Sequence, residues 1–129
     1  MISTRVLKPS EHRSVEGLIG LIFPCAIVKL SENDIIIVAE LGGTPVGFVH
    51  VINHGPHLLL QGIGVMDSMR NQGVGALLIE RAMALMRKSG KPIFLKVKTD
   101  NPAVDLYSRY GFCVKKFRTV MVLVKKAEN

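Results

Sequence analysis

The amino-acid sequence predicts an α/β (α+β) fold: one mixed, mostly antiparallel central sheet of about six to seven strands flanked by helices. Three observations predict it. Short β-branched stretches bounded by turn residues recur along the chain, and stretches with a helical period interrupt them. No internal repeat, low-complexity segment or Pro/Gly/Ser-rich linker divides the 129 residues, so residues 1–129 are expected to form a single domain with one substantial core. Apolar residues make up 48% of the chain and charged ones 21%, which fits a globular protein and disfavours a disordered one.

Taken in order, residues 2–7 alternate weakly and read as a short strand. Pro9-Ser10-Glu11 opens a helix predicted over residues 9–22, since proline suits the first turn and an acidic side chain suits the helix N-terminus. Phe23-Pro24 should end or kink it, and residues 25–33 fit either a second short helix or a loop. The β-branched run 35–41 reads as a strand, Gly42-Gly43-Thr44-Pro45 as a turn, and residues 46–52 as the returning arm of a hairpin. Asn53-His54-Gly55-Pro56 makes the next turn, before a strand over residues 57–65. The clearest helix spans residues 72–88, with Val74, Leu77, Leu78, Ala82 and Leu85 on one stripe and Glu80, Arg81, Arg87 and Lys88 off it. Ser89-Gly90-Lys91-Pro92 stops it. A strand over 93–97, a short helix over 102–110 ended by Gly111, and strands over 112–114 and 119–124 complete the order.

Composition narrows the function classes. The opening MISTRVLKPSEHR lacks the apolar core and cleavage-like region of a secretory signal. The longest nearly apolar run, residues 17–28, is broken by Pro24 and is too short to span a bilayer. Cys25 and Cys113 give neither a disulfide framework nor a metal-type spacing, so two small buried apolar side chains and no metal are expected. A cytoplasmic protein fits these features. Charge divides unevenly: residues 1–64 carry a net −1 and residues 65–129 a net +8. The second half should attract an anionic partner, either a phosphorylated cofactor or nucleic acid, unless it is only a solvated surface.

Glycine pairs mark the region of interest. Ala76 and Leu77 follow Gly75 where a Walker-type loop would need Lys and Ser/Thr. A dinucleotide fingerprint fails too, because Asp67 stands where the third glycine after Gly62-Ile63-Gly64 should be, and Leu78 where it should follow Gly73-Val74-Gly75. Two readings of Gly73 and Gly75 remain. They admit an anion to the N–H groups of residues 71–76 at a helix N-terminus, or they serve tight helix–sheet packing. Gly62 and Gly64 within a strand suggest a bulge or a close backbone approach.

Arg70-Asn-Gln-Gly-Val-Gly75 resembles the R/Q-x-x-G-x-G/A signature of the GNAT acyltransferase superfamily. Asn101-Pro-Ala-Val-Asp-Leu-Tyr-Ser-Arg-Tyr-Gly-Phe112 resembles that family's second signature, and Glu40-Leu-Gly-Gly-Thr-Pro-Val-Gly-Phe48 its typical second hairpin. The element order matches the GNAT-like acyl-CoA N-acyltransferase fold over nearly the whole chain. The resemblance implies an N-acetyltransferase that binds acetyl-CoA, without metal, and passes the acetyl group to an attacking amine in a ternary complex. It implies that Arg70, Asn71, Gln72, Gly73, Val74, Gly75 and Ala76 hold the pyrophosphate. Ile63, Gly64 and Val65 would lie beside the acetyl and pantetheine part, where the family strand splays at a bulge, with the Val65 N–H facing the developing oxyanion. Tyr107 would return a proton to the leaving thiolate, while Tyr110, just before Gly111-Phe112, reads as a packing residue.

Two departures stand out. Asn101, the implied CoA contact, lies six residues before Tyr107 where the family commonly has seven, so Asp100 is the alternative. Residues 57–65 and 93–98 contain no carboxylate to act as general base, which leaves Glu40, His50, His54 and His57, acting through water, or an acceptor that arrives neutral. The expected partners are acetyl-CoA and an amine acceptor, with no membrane. Nucleic acid is disfavoured by two Tyr, five Phe and no Trp. The apolar residues 18–28 suit an amine with an apolar neighbour or a homodimer contact. The rival reading is a catalytically silent acyl-CoA-binding or regulatory domain of the same fold.

Overall fold

A computed structural model describes residues 1–23, 30–98, 109, 113–116 and 120–125. The run Ile35–Val38 lies within strand β2 (Asp34–Leu41), one strand in from an edge of the sheet. Residues 36–39 are all buried, which requires cover on both faces. Successive side chains point to opposite faces, so Ile37 and Ala39 enter one apolar cluster and Ile36 and Val38 another.

Each cluster is closed by one helix. Helix α1 (Arg13–Ile22) contributes Val15 and Ile19 to the cluster with Leu7, Ile36, Val38 and Phe48. Helix α2 (Val74–Ser89) buries Val74, Leu78, Ile79, Ala82, Met83 and Met86 against the opposite face. The predicted stripe was rotated slightly: Leu77 and Leu85 are only half-buried, while Ile79, Met83 and Met86 take the core positions.

The remaining strands are β1 (Ile2–Val6), β3 (Thr44–Asn53), β4 (Leu58–Val65), β5 (Ile93–Lys98), β6 (Cys113–Lys116) and β7 (Val120–Lys125). Among the described residues they form a seven-stranded sheet in the order β1-β2-β3-β4-β5-β7-β6. Every pairing is antiparallel except β4–β5. The mixed sheet between helices is the predicted class.

Two predicted helix starts move, each for a local reason. Gly73 has φ 79°, outside the right-handed helix, so α2 begins at Val74 and not at residue 72. At the first helix, the Glu11 carboxylate accepts from the Lys8 N–H at 3.0 Å and from Arg5 Nη1 at 2.8 Å. This closes a separate 3₁₀ turn over Pro9–Glu11 before α1 starts at Arg13. The predicted helix over 102–110 and the 25–33 alternative fall largely outside the described residues, as do Cys25, Asn101, Tyr107 and Tyr110.

The feature that positions the site is a split in the sheet. Strand β4 pairs with β5 only through Leu58, Leu60 and the residue between them, against Ile93–Leu95. Both strands continue, β4 to Val65 and β5 to Lys98, without pairing further. The β3–β4 register shifts between His50/Val51 and leaves Gln61 as an extra residue, a bulge that bends β4 where it leaves β5. The resemblance implied the bulge at residues 63–65; it falls at Gln61, next to the Gly62 that suggested one, Gly64 is the close approach, and residues 63–65 are the splayed end.

Candidate functional site

The splayed end of β4 has one free side. Met66 N–H donates to the Val46 carbonyl on β3 at 2.9 Å. N–H directions alternate along a strand, so the Ile63 and Val65 N–H groups face away from β3, into the gap opened by β5. The other side of β4 is packed tightly. A Cβ on Gly47 would meet Gly64 O at 3.0 Å, and one on Gly64 would meet Ile22 Cγ2 at 2.9 Å.

The chain after β4 delivers a second set of donors. A 3₁₀ turn, Asp67–Met69, leads into residues 70–73, where Asn71 at φ 63° and Gly73 at φ 79° are both left-handed. Such left-handed residues turn successive N–H groups into a concavity that suits an anion. Leu77 N–H is the first to bond back, to the Gly73 carbonyl at 3.0 Å, so the N–H groups of residues 71–76 have no backbone acceptor among the described residues. A Cβ on Gly73 would meet no described residue within 4 Å. Its glycine therefore serves the backbone conformation, while a Cβ on Gly75 would meet Val65 Cγ2 at 3.9 Å.

These two sets meet in a groove of about 420 Å³ lined by Ile22, Ile63, Gly64, Val65, Met69, Arg70, Asn71, Gly73, Val74 and Gly75. Eight of the predicted cofactor residues are thus brought together. Gln72 and Ala76 are not part of the lining, and Gln72 Nε2 donates instead to the Ser68 carbonyl at 3.4 Å. Arg70 Nη2 lies 3.1 Å from Asp67 Oδ1, an exposed pair of little energetic weight that leaves the guanidinium free to re-aim. Sequence reasoning missed Ile22 and Met69; the apolar end of the first helix was the available signal. A neighbouring groove of about 450 Å³ shares Ile22, Val65 and Arg70 and adds Leu21, Met66, Asp67 and Ser68.

The four base candidates separate clearly. Glu40 Oε1 accepts from Arg5 Nε at 2.9 Å, on the β1 side of β2 and away from the groove. His54 and His57 sit at the opposite end of β4, their rings 5.2 Å apart with His57 4.8 Å from Phe94. His50 lies on β3 directly opposite Gly62, with Nε2 at 2.5 Å from Asp34 Oδ1. Burial pushes the Asp34 carboxyl up, but hydrogen bonds from the Ser31 N–H, His50 and the Ser31 hydroxyl outweigh it, and the net shift is downward. Asp34 is therefore ionised at neutral pH.

Among the described residues no group of three or more His, Cys, Asp or Glu could hold a metal ion. No helix of the described residues is long and apolar enough to cross a membrane.

Comparison with known proteins gives concordant results. A model of the Acetyltransferase (GNAT) family matches residues 9–112. The chain is similar in structure to the ribosomal-protein-S18-alanine N-acetyltransferase from Escherichia coli, with TM-score 0.82, 17% identity and coverage of 100% of this chain and 97% of that one. It is also similar to PaiA N-acetyltransferase from Thermoplasma acidophilum in complex with coenzyme A, with TM-score 0.76, 15% identity and 98% and 99% coverage. Arabidopsis thaliana Naa50, in complex with the bisubstrate analogue CoA-Ac-MVNAL, has TM-score 0.75, 16% identity and 97% and 98% coverage. A search of curated proteins finds no match.

Proposed function

Since the chain belongs to the GNAT acetyltransferase family, we propose that it transfers the acetyl group of acetyl-CoA to a primary amine by direct attack in a ternary complex. One observation carries this reading: Asn71, Gly73, Val74 and Gly75, whose N–H groups have no backbone acceptor among the described residues, line the same groove as the free side of β4. The first set suits a pyrophosphate at a helix N-terminus. The second suits the amide-bearing arm of the donor, which can add to β4 as a strand would. The Val65 N–H, aimed into the gap, would stabilise the oxyanion as the amine adds to the thioester carbonyl.

Bound acetyl-CoA supplies the activated thioester; the chain binds, orients and moves protons. Tyr107 is proposed as the proton donor to the thiolate and Asn101 as a CoA contact, both on their place in the sequence pattern. A silent acyl-CoA-binding domain is the second reading, favoured by the absence of any carboxylate in the β4 and β5 sequences and by the engagement of Glu40 with Arg5. Thermal unfolding with and without acetyl-CoA, followed by CoA release with a panel of amines, separates the two. A stabilising shift with CoA release supports the enzyme. A shift with no release from any amine supports the silent domain, and no shift removes both.

A further inference from the structure

The proposed transfer needs a group to take the proton of an amine that arrives as ammonium, and neither β4 nor β5 has a carboxylate in its sequence. His50 occupies a position suited to that task. It shares a face of the sheet with its cross-strand partners Ile36 and Gly62 and with Phe48, the face covered by α1. Gly62 carries no side chain, and a Cβ there would meet no atom of the described residues within 4 Å. Among the described residues nothing covers the surface of Gly62 beside the imidazole. Two residues along, Ile22 and Phe23 close over Gly64, and the Phe23 ring stands edge-on to Phe48 at 6.0 Å. Ile22 and Gly64 also line the groove at the splayed end of β4, so Gly62 and His50 lie next to it along the strand.

Asp34 fixes which nitrogen is available. Its carboxylate accepts from the Ser31 N–H at 2.6 Å and the Ser31 hydroxyl at 3.0 Å, and it contacts His50 Nε2 at 2.5 Å. A carboxylate only accepts, so Nε2 donates to Asp34, and in the neutral imidazole Nδ1 is then the nitrogen with the lone pair. The His50 side chain is 16% exposed, enough for contact with a water molecule.

We propose that His50 is the proton acceptor for the incoming amine, working at Nδ1 through one water held over Gly62, with Asp34 as its positioning residue. This rests on the acetyltransferase reading. The ammonium proton passes through the water to Nδ1 and makes an imidazolium paired with Asp34. The freed amine forms the N–C bond, the C–S bond breaks, and the thiolate leaves with its electron pair. The thiolate takes its proton from Tyr107, the remaining surplus N–H proton restores Tyr107, and the imidazolium releases its proton to solvent.

The test uses His50→Gln, whose amide still donates to Asp34 but has no basic nitrogen. At saturating acetyl-CoA, CoA release with butylamine, which arrives as ammonium, should fall roughly 100-fold, whereas release with hydroxylamine, which arrives neutral, should stay within about threefold of wild type. Equal losses with both acceptors, or no loss with butylamine, would overturn the proposal. Nitrogen-15 shifts of the wild-type imidazole in its neutral form should show a protonated Nε2 and a bare Nδ1; the reverse tautomer overturns it without reference to turnover. Asp34→Asn should lower butylamine turnover while dividing the tautomer signal between the two nitrogens, and an undivided signal would remove its positioning role. The acetyl-CoA thermal shift should be the same in H50Q and wild type. Its absence from the wild-type chain would refute the acetyltransferase reading itself, a separate outcome.

Discussion

At Gly64 a single methyl group decides how α1 closes over β4. A Cβ there would lie 2.9 Å from Ile22 Cγ2, 3.0 Å from Phe48 Cε1 and 3.1 Å from Phe23 Cε2. Phe48 is 2% exposed and has little room to yield. Gly64→Ala is expected to destabilise by about 1–3 kcal/mol through overpacking, measured by urea unfolding. An unchanged midpoint would mean that the end of α1 moves freely. Asp34 gives a second residue-scale prediction. Its carboxyl is held below its ordinary 3.8, so its contribution to stability is fully present above that value and is lost as pH falls through the folded value. The Tm difference between wild type and Asp34→Asn should therefore be largest at neutral pH and shrink on acidification; a constant difference would show that the charge is not what stabilises. Tyr107→Phe should slow CoA release with little change in acetyl-CoA affinity, and unchanged release would remove Tyr107 as proton donor.

At the scale of elements, the loop between β4 and α2 shows what was legible in the sequence. The glycine pattern located it, because Gly73 and Gly75 next to a helical period are visible without coordinates. The division of labour was not visible. Gly73 is needed for its φ of 79°, Gly47 and Gly64 for close packing, while at Gly62 a Cβ would meet no described residue within 4 Å. Similar letters thus answer different constraints, which depend on partners far away in sequence. For the same reason the pairing of His50 with Asp34, 16 residues apart, could not be read from spacing. Gly73→Ala should cost about 1–2 kcal/mol, the penalty for a left-handed residue with a Cβ, because no described residue lies near enough to clash. Gly73→Asn should recover part of that loss, since asparagine tolerates the conformation, as Asn71 does at φ 63°. Unfolding midpoints of the two variants check this, and equal losses would point to a steric cause instead.

For the whole molecule, the sheet acts as a divider. The groove proposed for the donor opens where β4 leaves β5 at the start of α2, and His50 and Gly62 lie on the face covered by α1. The net +8 of residues 65–129 belongs to the half that supplies the Arg70–Gly75 side of the groove, whereas residues 1–64 carry −1. Attraction between that half and a polyanionic donor would be screened over roughly 8 Å at physiological ionic strength. Titration calorimetry should then show acetyl-CoA affinity falling several-fold between about 0.05 and 0.5 M salt, because the groove is open and its Arg70 is exposed to ions. Acetylated pantetheine, which has the thioester arm but no phosphates, should bind more weakly and show almost no salt dependence. The comparison assigns the effect to the phosphates. If both ligands respond alike to salt, the positive charge acts on the fold and not on the donor; if neither responds, the N–H groups of residues 71–76 do the binding without help from the basic half.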